Sequence, residues 1–348
     1  MTEEQALLRR EVAELCAKEV VARALDDDRR GKPPIELLAK LAQLGFCGVA
    51  VPEAQGGAGM GPLAVVIVLE EVARVFPSLA LSLAAQTIVG MAIAECGDSQ
   101  LQAEFAPLVT SGREMAAVSL VQDVLVGARP REAVALRGQL RFMVNGLFAS
   151  LFLAAVEVDG GRQWAICRVA SGGCAVEPLE ALGFRASGLA TLVCDGVPLA
   201  AGQLFQQDGT RISLWRGLCL SAIAVGICQG AVDHSSRYAR ERQQFGKPIA
   251  EFDMVRRLLG DAVRRATSAR LMTYDAATRM ERGSTSETQL LQALTWSREA
   301  AMLCADNAVQ VFGGYGYTKD YPAEMFFRDA KFLETTPPSV SEARCAEV

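Results

Sequence analysis

The sequence predicts an α+β protein that is mainly α, with a helical section, a β section and a second helical section in that order. Apolar residues repeat at helical spacing from residue 3 to about residue 113. Short apolar runs follow in 115–205, and long helical stretches return in 211–334. The chain has 348 residues, which is long enough for a deep core. Hydrophobic residues make up 51% of it, and its mean hydropathy of +0.20 is high for a soluble protein.

Capping signals mark the helices of the first section. Thr2 and Gln5 occupy the positions of a capping box, so we expect a helix to begin there, without a signal peptide before it. Pro33-Pro34 restarts a helix that Gly45 ends, and Pro62 fits the first turn of the next one.

An uncharged run from Val75 to Ala94 is long enough to suggest a transmembrane helix. It contains proline, glycine and several polar residues, which favours a helix buried on all sides over a membrane span. Such a helix needs a large core or a subunit interface around it.

The middle section reads as mostly antiparallel β structure. Asp159-Gly160 is a hairpin signal between two apolar runs. The predicted strands are Ala116–Val121, Arg141–Val144, Leu151–Glu157, Gln163–Val169 and Thr191–Cys194.

Three long helical stretches follow, Ile212–Arg242, Phe252–Arg282 and Glu287–Phe312, and helices of this length usually pack as a bundle. Within the first stretch, Gly226 and Gly230 form a weak point.

Composition excludes several classes of function. His234 is the only histidine, so metal sites that need two histidines are excluded, and we expect no metal site. Ten scattered cysteines without a CxxC pair indicate thiols in a reducing compartment, and we expect a cytoplasmic protein. The net charge of −5 gives no reason to expect nucleic-acid binding.

Three segments near the C-terminus could carry chemistry. In Tyr238–Ile249, Arg242 stands beside a turn that could hold a phosphate, although a solvated helix end closed by Gly246 explains the same residues. In Gln310–Thr318, the two glycines either cap a helix or let the backbone approach a cofactor phosphate. Arg328–Lys331 is typical of a structural ion-pair group.

Taken together, these three segments resemble the acyl-CoA dehydrogenase family. The resemblance extends over nearly the whole chain and includes Leu44–Glu53 and Leu182–Ser187. It implies an acyl-CoA dehydrogenase fold with an N-terminal helical domain, a middle β domain and a C-terminal four-helix bundle, here 1–114, 115–209 and 210–348. It also implies FAD as cofactor, an acyl-CoA substrate that is desaturated between Cα and Cβ, and electron-transferring flavoprotein as the oxidant.

The family's catalytic glutamate is missing from both of its usual positions. The Glu-Gly-Thr motif that normally supplies this base has Pro337 in place of the glutamate, with Glu334 and Glu342 nearby. In a branch of the family the base lies at the start of the first C-terminal helix, and that position falls on Arg216 or Gly217. Glu334 is therefore the single, weak candidate for a base.

The segments that hold the flavin ring in the family are also altered. The usual Thr-Glu-Pro segment is replaced within Val118–Gly127, where Ser119 or Gln122 could offer one polar contact. In the segment that is usually aromatic-Ile-Thr/Ser-Asn, the asparagine is kept as Asn145, but the hydroxyl-bearing Thr or Ser before it is lost.

The family's contacts to the adenine and pyrophosphate of FAD in the neighbouring subunit are retained. By the resemblance, these cofactor-binding residues are Arg242, Phe245, Gln310, Gly313 and Gly314.

With this uneven loss of family motifs, the sequence resembles the shorter, degenerate chain of the α2β2 acyl-CoA dehydrogenases that degrade steroid side chains in bacteria. The sequence therefore favours an obligate subunit whose partner chain carries the base. The alternatives are a self-sufficient homomeric enzyme that uses Glu334 or another displaced carboxylate, and a non-catalytic scaffolding homologue.

Overall fold

The computed structural model describes residues 1–128, 134–205 and 209–336, which follow the predicted order of helix, β structure and helix. Among these residues, the first section contains α1 (Glu3–Leu15), α2 (Val21–Arg30), α3 (Ile35–Gln43), α4 (Gly61–Ala73), α5 (Pro77–Cys96) and α6 (Ser99–Thr110).

The predicted capping signals are confirmed. The Thr2 hydroxyl accepts a hydrogen bond from Gln5 N, and the Gln5 side chain accepts one from Thr2 N. Gly45 has a φ of +84° just beyond α3, and Pro62 lies in the first turn of α4. One feature was not predicted: a π-helical turn, Cys16–Val20, joins α1 to α2 and buries Cys16 and Val20.

Helix α5 is the buried helix that the uncharged run predicted, and its residues from Pro77 to Ala94 are all buried. By length and composition, α5 and the later helix α7 (Thr210–Glu241) could each cross a membrane. In the fold, 83% of the most apolar window of each helix is buried, as in a core helix of a globular protein.

The β section forms one sheet, in the order β6-β7-β3-β1-β4-β5-β8, and β2 pairs with both β3 and β4. Its pairs are antiparallel as predicted, except that β4 runs parallel to β1 and β2. The strands are β1 (Ala116–Ser119), β2 (Val124–Ala128), β3 (Val134–Val144), β4 (Leu151–Val158), β5 (Gly161–Arg168), β6 (Cys174–Pro178), β7 (Ala190–Leu199) and β8 (Leu204–Phe205). Sequence analysis did not predict β2, β6 or β8.

The predicted hairpin joins β4 to β5. Asp159 and Gly160 have φ of +53° and +75°, which is the backbone twist that a two-residue turn between antiparallel strands requires.

The second helical section consists of α7, α8 (Asp253–Glu281), α9 (Glu287–Phe312) and α10 (Ala323–Thr335), which pack against one another. A short hairpin of β9 (Gln243–Gln244) and β10 (Lys247–Pro248) joins α7 to α8. Helix α7 is continuous through Gly226 and Gly230, so the predicted weak point does not interrupt it.

Candidate functional site

An open cleft lies where α7 ends, beside the end of α9. Its volume is about 440 Å³, and Arg242, Gln244, Gly313, Gly314 and Thr318 contribute to its lining. We call it the glycine cleft. Under it, the rings of Tyr238 and Phe312 stack with centroids 4.3 Å apart, and this stack fixes the end of α7 against the end of α9.

Arg242 leaves α7 in an extended conformation and is exposed. Its guanidinium carbon lies 5.9 Å from the centroid of the Tyr315 ring, across the cleft from α7. Gly313 has φ +60° and ψ −133°, a conformation that is open to glycine and costly for other residues. A Cβ added at Gly313 or Gly314 would meet no atom within 4 Å, so the backbone is open to a ligand here.

The two other predicted contact residues lie beside the cleft and do not line it. Phe245 is at the tip of the β9–β10 hairpin with a φ of +51°, and its side chain is 92% exposed. Gln310 is exposed on the last turn of α9.

A second, smaller cavity of about 210 Å³ lies between the sheet and α10. Its lining is mostly apolar, and includes Leu120, Val121, Phe142, Leu179 and Phe332. We call it the apolar cavity. Phe142 and Phe184 both have a φ of +52°, and their rings meet Phe332 edge-on at 6.2 and 5.4 Å. Strained backbones of this kind cluster at ligand sites.

Four of the polar groups beside the apolar cavity have partners inside the chain. The Thr335 and Thr336 hydroxyls donate to the Lys331 and Phe332 carbonyls, one turn earlier in α10. The Leu120 N–H donates to Phe142 O, and the Val121 N–H donates to the Ser119 hydroxyl. These four groups are therefore not free to bind a ligand, and the rest of the lining is mostly apolar.

A third cavity, of about 340 Å³, lies between the sheet and the start of α7. It contains Ser119 and Gln122, so these residues face this cavity, and the Ser119 hydroxyl donates to Arg141 O. Arg216 also lines it, with Nη1 3.5 Å from Leu120 O. Asp123 lines it too, but Arg141 donates hydrogen bonds to both oxygens of its carboxylate.

The carboxylates predicted near the missing base lie elsewhere. Glu334 is exposed, lies outside the lining of the apolar cavity and pairs with Lys331 over 2.6 Å. Pro337 and Glu342 lie outside the residues that the structure describes. Within the described lining, the carboxylate at the apolar cavity is Glu180, on the segment before β7. Glu180 was not predicted, because the residues around a loop glutamate carry no pattern that shows it facing a helix far along the chain.

Arg328 and Asp329 form the structural group that the sequence suggested. Arg328 is bonded to Asp28 over 2.5 Å and to Glu324 over 2.6 Å, and it ties α10 to α2. Asn145 is also structural, since its amide donates to Ser82 O and Ala116 O.

Comparisons with known proteins agree with this geometry. Residues 2–113 match the model of the acyl-CoA dehydrogenase N-terminal domain, and residues 213–336 match that of the C-terminal domain. The chain belongs to the acyl-CoA dehydrogenase family. Its relatives and a structural neighbour indicate an FAD-dependent oxidoreductase acting on acyl-CoA.

Relatives match over nearly the full length of both chains. A probable acyl-CoA dehydrogenase, fadE25, of Mycobacterium leprae is 31% identical, with 96% of this chain and 92% of that protein aligned. A short-chain-specific acyl-CoA dehydrogenase of Clostridium acetobutylicum is 30% identical, over 96% and 94%. The structure of a glutaryl-coenzyme A dehydrogenase in complex with glutaryl-CoA has a TM-score of 0.94 and 26% identity, and covers 99% of this chain and 94% of its own. These matches confirm the predicted three-part fold; the domain boundaries at 114/115 and 209/210 stay predictions.

The glycine cleft and the apolar cavity of this acyl-CoA dehydrogenase family member suit the pyrophosphate and the ring of FAD to different degrees. The glycine cleft suits a pyrophosphate, because Arg242 can bind phosphate oxygens in a bidentate manner beside an open glycine backbone. When bound, FAD supplies hydride acceptance at its ring. The apolar cavity can cover a ring face, but its two threonine hydroxyls and the N–H groups of Leu120 and Val121 have partners in the chain. The site is thus well formed at the phosphate end and poor in donors at the ring end.

Proposed function

We propose that this chain is one subunit of a heteromeric, FAD-dependent acyl-CoA dehydrogenase that desaturates an acyl-CoA between Cα and Cβ. In this proposal it pairs with a second, catalytic acyl-CoA dehydrogenase chain in an α2β2 tetramer. Its glycine cleft contributes contacts to the FAD pyrophosphate, and the partner chain supplies the catalytic glutamate.

One observation carries the proposal: the glycine cleft is well formed and exposed, whereas the candidate base is misplaced. Arg242, Gly313 and Gly314 face solvent in this chain, as residues that serve a neighbouring subunit must before assembly. Glu334 pairs with Lys331 outside the apolar cavity. A base needs to lie within hydrogen-bond reach of the proton that it removes, and desolvated against it.

In the assembled enzyme, the residues of this chain act on binding rather than on the proton. Arg242 neutralises phosphate charge, and the 92% exposed Phe245 adds apolar contact at the interface. The oxidant we propose is electron-transferring flavoprotein. The steroid side-chain acyl-CoA that we propose as substrate rests on the resemblance to the two-chain enzymes.

The first experiment compares the chain expressed alone with the complex purified from its source cells through a tag on this chain. We expect the complex to contain a second, homologous chain and about one FAD per pair of unlike chains, and the chain alone to lack stoichiometric flavin. Flavin absorbance and native mass spectrometry measure both quantities. Full flavin loading and turnover by the chain alone would establish the homomeric alternative instead.

A variant then tests the glycine cleft. Arg242→Ala removes the bidentate phosphate contact, and loss of a charged hydrogen bond of about 1.5–3 kcal/mol weakens FAD retention in the complex by roughly 10- to 100-fold. Arg240→Ala is the matched control, since Arg240 is also exposed at the end of α7 but does not line the cleft. Equal FAD retention by the two variants would contradict the assignment.

The substrate proposal is tested with the complex and a panel of CoA thioesters. We expect a larger kcat/KM for a steroid side-chain CoA than for straight-chain acyl-CoA of the same chain length. The opposite order would leave the subunit role intact and remove the steroid substrate.

A further inference from the structure

Two cysteines lie directly opposite each other on neighbouring strands of the sheet. Cys174, the first residue of β6, pairs with Cys194 of β7. The Asp195 N–H donates to Gly173 O over 2.7 Å, so the cysteines form a pair that has no backbone hydrogen bonds of its own. Residues in such a pair have Cα atoms about 4.5 Å apart and their side chains close together. A disulfide requires Cα atoms roughly 4.4–6.8 Å apart, so the backbone is already placed for one.

The backbone before Cys174 holds this close approach. Gly173 has a φ of +72°, and a Cβ added there would lie 2.7 Å from Asp195 O. Only glycine lets the chain enter β6 this near to β7, and the position of Cys174 against Cys194 follows from that approach.

The two thiols differ in access and in acidity. Strand β6 is at the edge of the sheet, where Cys174 is partly exposed, while Cys194 is 3% exposed; both are free. A hydrogen bond between the two side chains lowers the pKa of Cys174 and raises that of Cys194. Cys174 is therefore both the more accessible thiol and the more readily ionised one, as an attacking cysteine must be.

We propose that Cys174 and Cys194 are an oxidation site that forms a reversible disulfide when a hydroperoxide reaches the edge of the sheet. The Cys174 thiolate attacks hydrogen peroxide, breaks its O–O bond and becomes a sulfenic acid with release of hydroxide. The Cys194 sulfur then displaces the sulfenic oxygen as water, and its proton leaves with it. In total, two thiols lose two electrons and two protons to one peroxide, which becomes two waters. This inference does not depend on the proposed subunit role.

The disulfide would close a loop that reaches the apolar cavity. The segment between the cysteines includes Leu179, Glu180, Ala181 and Leu182, which line that cavity. It also includes Gly183, whose backbone packs against Arg328 of α10. A bond across the base of this loop restricts its open conformations, so we expect slower hydrogen exchange at 179–182 after oxidation.

The experiment treats the full-length protein, as purified, with stoichiometric hydrogen peroxide, blocks the remaining thiols by alkylation and maps the peptides by mass spectrometry. We expect one linked peptide that joins Cys174 to Cys194 and disappears after treatment with dithiothreitol. Cys194→Ser should stop the reaction at a sulfenic acid on Cys174 that dimedone captures, and Cys174→Ser should abolish the link.

A second facing pair gives an internal control. Cys228 of α7 and Cys304 of α9 are also in contact, but they are 0% and 1% exposed, so we expect both to stay reduced. Four results would overturn the proposal: an unlinked Cys174 after treatment, a link from Cys174 to Cys167, equal oxidation of the Cys228–Cys304 pair, or unchanged hydrogen exchange at 179–182 in the linked protein.

Discussion

Asp329 shows how one buried carboxyl organises the segment beside the apolar cavity. It is fully buried on α10, and its Oδ1 accepts a hydrogen bond from Phe184 N over 2.5 Å. Burial, reinforced by the charge of Asp28, raises the pKa of Asp329 from 3.8 to about 8. The carboxyl therefore keeps its proton to a higher pH than an ordinary aspartate does. Its hydrogen bond positions Phe184, whose ring meets Phe332 at the cavity.

Because the pKa of Asp329 is raised, the folded state holds this proton more tightly than the unfolded chain does, and the stability of the fold depends on pH. The stabilisation from Asp329 is fully present below about pH 4 and is lost as the pH rises through about 8. Asp329→Asn keeps the acceptor and removes the titration. We expect the unfolding free energy of the wild type to fall relative to this variant between pH 4 and 8, measured by urea denaturation. Asp320→Asn, at a side chain that is 77% exposed, is the control, and parallel pH profiles for wild type and Asp329→Asn would contradict the assignment.

At the scale of elements, glycines on α7 let helices cross closely. A Cβ at Gly226 would lie 2.5 Å from the Ala73 Cβ and 2.6 Å from Glu70 O, on α4. A Cβ at Gly230 would lie 2.4 Å from Arg74 O. The composition of α7 predicted a weak point here, but the glycines instead allow the first section to pack against the bundle.

Gly226→Ala should destabilise the protein by about 1–3 kcal/mol, because the added methyl group forces α4 and α7 apart. Gly260→Ala is the matched control: it lies within α8, and a Cβ there meets no atom within 4 Å. At Gly260 the same change should stabilise by about 0.5–1 kcal/mol through helix propensity. Urea denaturation gives the sign of the change in unfolding free energy for each variant. A stabilised Gly226→Ala would contradict the close packing of α4 against α7.

At the scale of the whole molecule, a buried charge cluster joins the two helical sections. Glu70 of α4 is 0% exposed. It accepts hydrogen bonds from Arg9 of α1, at 3.5 Å, and from the Tyr274 hydroxyl of α8, at 2.8 Å. It also forms an ion pair with Arg270 of α8. A buried carboxylate is tolerated here because its partners, from separate elements, compensate its charge.

Glu70→Gln removes the counter-charge of Arg270 and one of the two counter-charges of Arg9, which keeps its ion pair with Glu71 over 3.1 Å. The arginine side chains are 26% and 31% exposed, which lets water screen part of the loss, so we expect about 2–3 kcal/mol of destabilisation. Glu14→Gln, which breaks the exposed pair with Lys18, should cost below about 0.5 kcal/mol. Urea denaturation measures the loss of unfolding free energy in each variant. Equal losses would show that the cluster does not hold the two helical sections together.

Local signals in the sequence were sufficient for most of the elements and for three residues of the glycine cleft. Helix α9 has the predicted bounds, Glu287–Phe312, because a capping residue, periodic apolar residues and a closing glycine are all encoded locally. Arg242, Gly313 and Gly314 were found in the same way, since a helix end and a double glycine are legible without knowledge of the fold. Strands β2, β6 and β8 were missed because short or exposed strands lack an apolar period.

What only the tertiary structure decided is where side chains from distant parts of the chain meet. Glu334 lies close in sequence to the expected base position, yet it pairs with Lys331, whereas Glu180 lies at the apolar cavity. Cys174 faces Cys194 through strand register, which no local pattern reports. The sequence by itself determined the family and the order of the elements, and it predicted Arg242, Gly313 and Gly314, which the fold brings together at the glycine cleft. The geometry of the ring end depends on how α10 packs against the sheet, and such long-range packing is set by the whole fold rather than by neighbouring residues.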